Sequence, residues 1–164
     1  MPNKRKQRIG NPRLRHAGNL ARAAGNRTWQ ECEIAQVLDN SGVTYTSQAP
    51  FLIRGQEFIL DFLLKSPRGI PVAVECSHTT KTPSILRRKA RNLDACFRFL
   101  KEELCMGTVA CLFLPSAQIL NRLFQELQKW MMHTDVVIGR SDYIIPAVIT
   151  AGEKVFEALS SISS

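Results

Sequence analysis

Apolar and polar residues follow two rhythms along this chain, and the changes between them mark its elements. From Thr28 the stretch TWQECEIAQVLDNSG sets Ile34 and Leu38 on one stripe, opens with a Thr-x-x-Glu capping box and closes near Gly42. This predicts a first helix. Three runs of strand character follow: VTYTS at 43–47, extending past Pro50 to FLI at 51–53; EFILDFLL at 57–64, after an Arg54-Gly55 turn; and VAVECS at 72–77, after SPRGIP. The short turns between them predict an antiparallel meander. Thr82 and Pro83 then open a long helix in which Leu86, Ala90, Leu93, Phe97, Leu100 and Leu104 recur at helical spacing, with Gly107 as the expected stop. A buried strand TVACLFL at 108–114 comes next. After it the pattern gives an amphipathic helix over 116–132, a strand DVVIG, an apolar YIIPAVI segment and a last helix opened by a second Thr-x-x-Glu box at Thr150.

Helices in this order can cover both faces of a mixed central sheet, so the expected class is an α/β domain. At 164 residues and 45% hydrophobic content the chain suits one such domain. Residues 28–164 are assigned to it, while residues 1–27, with little periodicity beyond LARAA at 20–24, are expected to be a flexible arm. There is no internal repeat. No apolar run approaches the roughly 18 residues that would span a bilayer, and the N-terminus carries charge where a secretory signal needs an apolar stretch. A soluble, cytoplasmic protein is expected, nucleoid-associated if it acts on DNA.

The five cysteines, Cys32, Cys76, Cys96, Cys105 and Cys111, are odd in number and nowhere spaced as CxxC. That pattern argues against a disulfide framework or a zinc ribbon and for reduced, mostly buried thiols.

Charge changes the picture of the arm. Residues 1–27 hold eight basic side chains, Lys4, Arg5, Lys6, Arg8, Arg13, Arg15, Arg22 and Arg27, and no acid, whereas residues 28–164 hold 14 basic and 14 acidic residues. The whole net charge of +8 therefore belongs to the arm. A basic segment of this kind gains by counterion release on phosphates, which points to nucleic acid; the plainer alternatives are a solvating tail or a targeting signal.

The candidate chemistry starts from FILDFLL, where Asp61 stands inside an apolar strand. Strand alternation puts Glu75 and Ser77 on one side of the third strand and Val72, Val74 and Cys76 on the other. Pairing through the SPRGIP turn lets Asp61 and Glu75 approach as two like charges, which a divalent cation would compensate. Magnesium, with manganese as its substitute, fits such a pair because it completes its shell with water and phosphate oxygens, as phosphodiester hydrolysis requires.

An acidic residue on the first helix, then FILDFLL, then AVECS, a helix and the strand TVACLFL resembles the PD-(D/E)xK nuclease superfamily of restriction endonucleases, repair nucleases and junction resolvases. The resemblance covers residues 28–114 and leaves 115–164 as a C-terminal extension. It implies a restriction-endonuclease-like core of helix, three strands, helix and strand, and a magnesium-dependent DNA endonuclease leaving 5′-phosphates. By position it implies that Asp61 and Glu75 bind the metal and that Glu31 assists them, although Glu31 is also the acid of the capping box. It departs from the family at Ser77, where a lysine normally stands to stabilise the transition state. Lys89 on the next helix and Lys81 before it are the candidate replacements, and if neither reaches the site the protein becomes a nuclease-like fold that only binds nucleic acid. Arg87, Arg91 and Arg98 fall on one side of that helix, suited to phosphate contact or to ordinary solvation. Cutting both strands of a duplex leads to an expected homodimer, with YIIPAVI as interface or as core.

Overall fold

The computed structural model describes residues 28–53, 55–77, 83–112 and 125–162. The arm, Lys81 and most of the helix expected over 116–132 lie outside them, although 125–130 are helical. Helix α1 is Trp29–Asn40, followed by strands β1 (Tyr45–Ile53), β2 (Gln56–Lys65) and β3 (Pro71–Ser77). Helix α2 (Pro83–Leu104) leads to β4 (Gly107–Leu112), and β5 (Val136–Ile138) precedes a 3-10 turn (Ser141–Tyr143) and helix α3 (Ile144–Ile162).

The expected cap holds α1. Thr28 is extended, with φ −66° and ψ 156°, and its hydroxyl accepts the Glu31 N–H at 3.2 Å. At the other end Gly42 turns left-handed, with φ 69°, and the Val43 N–H reaches back to the Leu38 carbonyl. Ile34 and Leu38 are fully buried against the sheet, while Trp29 is 58% exposed at the helix start.

The strands form one open mixed sheet in the order β1-β2-β3-β4-β5. β1, β2 and β3 run antiparallel as the predicted meander, and β3, β4 and β5 run parallel. Helix α2 makes the crossover from β3 to β4. One side of the sheet is packed by α2, whose Ala90, Leu93, Phe97 and Leu100 meet Ala73, Ala110 and Leu112. The other side is packed by α1 and α3, where Ile34, Leu38, Ile144, Val148 and Ala151 meet Phe62, Val72, Val74 and Val109. No helix among the described residues is long and apolar enough to cross a membrane.

Two helix boundaries differ from expectation. Helix α2 is ended by Cys105, a left-handed residue with φ 50°, and not by Gly107, which is already the first residue of β4. Gly107 answers a packing demand instead, because a Cβ there would lie 3.1 Å from the backbone of Ala151. The last helix opens at Ile144 and not at Thr150, so it takes in the apolar segment. Pro146 is tolerated because the first-turn N–H groups have no helical partner to lose. The Thr-x-x-Glu pattern at Thr150 is no cap here, since the buried stripe of Ile144, Ala147, Val148, Ala151 and Val155 runs through it.

Candidate active site

The sheet forks at Asp61 and Glu75. Backbone pairing of β2 with β3 runs from Lys65↔Pro71 to Phe62↔Val74 and stops there. Beyond that point β2 stays with β1 as far as Ile53↔Gln56, while β3 stays with β4 as far as Ser77↔Leu112. At the crotch the side chains take over from the backbone ladder. A Glu75 carboxylate oxygen, Oε1, accepts the Asp61 N–H at 3.1 Å, and Asp61 Oδ2 accepts the Cys76 N–H at 2.8 Å. Asp61 is thus tolerated in its apolar run because it satisfies a backbone donor that the diverging strands would otherwise bury unpaired. Both carboxylates are sealed from solvent, at 1% and 0% exposure.

Gln48 stands in line with the two acids, a row across β1, β2 and β3. The β1–β2 ladder passes from Ser47↔Phe62 to Ala49↔Leu60 and skips Gln48, which faces Asp61 and has a left-handed backbone with φ 52°. The strands turn over at this point. Tyr45 and Phe62 pack on the α1 side of the sheet, whereas Ala49 and Leu60, of the same alternation, pack on the α2 side. The Gln48 amide Nε2 donates to Glu31 Oε2 at 3.4 Å. Glu31 is therefore more than a capping residue: it is 3% exposed, turned inward, and linked to the row through Gln48. Nothing in the periodicity of TSQAPF marks Gln48, since its backbone conformation comes from the tertiary twist.

The remaining candidates divide by side of the sheet. Ser77 is buried at the end of β3, on the alternation that carries Ala73 and Glu75 towards α2. Lys89 lies half-buried on α2, one residue before the buried Ala90, and so on that same side. Burial, with the Arg88 charge beside it, lowers the Lys89 pKa from the ordinary lysine value. Lys81 and the arm cations fall outside the described residues. Arg87, Arg91 and Arg98 are engaged with neighbours: Arg87 pairs with Glu126 at 3.0 Å, Arg91 lies over the Trp130 ring at 4.7 Å, and Arg98 pairs with Glu102 at 3.0 Å. Such exposed or half-exposed pairs are weak enough to exchange for a phosphate.

Cys76 turns to the opposite side from Glu75, facing Cys111 across the parallel β3–β4 pair. A hydrogen bond with Cys111, together with burial, pushes its thiol well above the ordinary value, and the nearby carboxylates add to the shift. Cys96 and Cys111 are buried, but Cys32 and Cys105 are exposed, so burial is less general among the thiols than expected.

The donor chemistry discriminates between metals. Asp61 and Glu75 offer hard oxygens, and among the described residues no group of three or more His, Cys, Asp or Glu side chains that could hold a metal ion comes together. A structural zinc site needs four protein ligands, whereas magnesium takes one or two carboxylates and fills its shell with water and phosphate oxygens. Two carboxylates are a donor set of the kind magnesium takes. The chain matches no protein-family model and no curated protein.

Proposed function

We propose that this chain is a magnesium-dependent DNA endonuclease with a restriction-endonuclease-like core. The observation that carries the reading is the forked sheet, with Asp61 and Glu75 bonded to each other's strands at its crotch. The fork brings two acids together next to the C-terminal end of the parallel strand β3, the end of the strands at which α/β sheets bind ligands. Magnesium bound there supplies positive charge against the negative charge that develops on a phosphodiester under attack.

The chain's own residues hold the pieces in place. Peptide N–H bonds fix the Asp61 and Glu75 carboxylates, so the acids need not reorganise when substrate arrives. Lys89, on the side of the sheet to which Glu75 and Ser77 turn, is the cation that takes the place of the motif lysine in this reading. Ser77 is too short and uncharged for that task. The arm, with its eight basic residues, supplies sequence-independent attraction to the DNA backbone. Cutting both strands takes two sites, so a homodimer belongs to this reading.

A second reading, a nucleic-acid-binding protein without catalysis, is favoured by Ser77 alone. Incubating supercoiled plasmid and a four-way junction with the protein, in magnesium or manganese, separates the two. Nicking or resolution by the wild type and none by Asp61→Ala is the expected result. Salt-sensitive binding by both proteins with cleavage by neither would establish the binding module.

A further inference from the structure

We propose that Gln48 is a positioning residue of the cation site, holding the Glu31 carboxylate against the sheet and offering its own carbonyl oxygen, Oε1, to the water shell of a divalent cation. This rests on the reading of Asp61 and Glu75 as that site. Three observations lead to it.

The first is backbone conformation. Gln48 has φ 52°, a region that penalises any residue with a Cβ and that glycine occupies freely. A side chain at such a position, beside two buried acids, points to strain held for a function.

The second is place. Positions 47 and 49 pair with 62 and 60, so Gln48 stands opposite Asp61 on one edge of β2, and Glu75 bonds the Asp61 peptide on the other. Gln48, Asp61 and Glu75 form one line across three strands. The line crosses the sheet where it forks.

The third is the amide itself. A carboxylate only accepts hydrogen bonds, so the amide end facing Glu31 Oε2, at 3.4 Å, must be Nε2. That leaves Oε1 as the other end. It is buried, and among the described residues it receives no hydrogen bond. A buried carbonyl oxygen without a donor is costly, and water carried by a cation is a donor that would satisfy it.

The test uses manganese alone as probe, titrated into the full chain and followed by the electron paramagnetic resonance of the free ion. Gln48→Gly keeps the left-handed backbone and removes the side chain, and Asp61→Asn is the control for the site. The wild type is expected to bind manganese at a site that Asp61→Asn removes. Gln48→Gly should weaken that binding about tenfold or more, the usual effect of losing a partner behind the metal ligands, with an unchanged or higher melting temperature in chelator. Wild-type affinity in a folded Gln48→Gly protein would overturn the proposal and leave the Asp61–Glu75 reading intact. Absence of any Asp61-dependent binding would overturn both.

Discussion

Glu75 and Cys76 are chain neighbours with opposite settings, one turned into the fork and the other held against Cys111. Because the folded state raises the Cys76 pKa above the ordinary 9.0, this thiol is protonated in both native and unfolded chains at neutral pH. Above about pH 9 only the unfolded chain ionises, so the native state loses stability as pH rises. Chemical denaturation should show a smaller loss for Cys76→Ala than for the wild type between about pH 8 and pH 10; equal slopes would rule out this thiol as the cause. A thiol-alkylating reagent at mildly alkaline pH should mark Cys32 and Cys105 first, since they are the exposed thiols and access limits the rate. Asp61 and Glu75 were legible from sequence because a charge in an apolar run is conspicuous, and strand alternation then pairs them. Gln48 was not, because an amide in a half-buried strand is unremarkable until its left-handed backbone is seen.

Two glycines govern how closely α3 lies on the sheet. A Cβ on Gly152 would come within 2.3 Å of the Ser66 Cβ, and Ser66 is itself fixed at the β2–β3 turn, where its hydroxyl accepts the Ile70 N–H at 3.2 Å. Gly152→Ala should therefore destabilise by about 1–3 kcal/mol through overpacking, although alanine in a helix interior favours folding by up to about 1 kcal/mol. Combining it with Ser66→Gly should recover part of the loss. Urea melts of the single and double variants decide it; a Gly152→Ala protein as stable as the wild type would show that α3 can ride outward. The same helix shows why element boundaries were harder to read than element types. A Thr-x-x-Glu pattern caps a helix only where the chain enters it, and at Thr150 a buried stripe continues on both sides. The stop of α2 was misplaced for a related reason: Gly107 serves contact with α3, a relation no local pattern contains.

At the scale of the molecule, charge is segregated along the chain. Residues 28–164 carry balanced charge, and residues 1–27 carry the entire excess of +8. Deleting 1–27 should flatten the dependence of DNA affinity on salt, by up to about 7 in the slope of log K against log salt if every arm cation meets a phosphate. Fluorescence anisotropy over a salt series measures it, and an unchanged slope would move DNA contact to residues 28–164. Strand order carries a further consequence. Each strand neighbours the next in the chain, so as synthesis proceeds every new strand finds its partner already made. Helix α3, which packs against β2, β3, β4 and β5, is the last described element to leave the ribosome. A nascent chain can thus assemble the fork and its acids while the part of the sheet that α3 covers is still open to water, an interval in which exposed apolar surface favours aggregation.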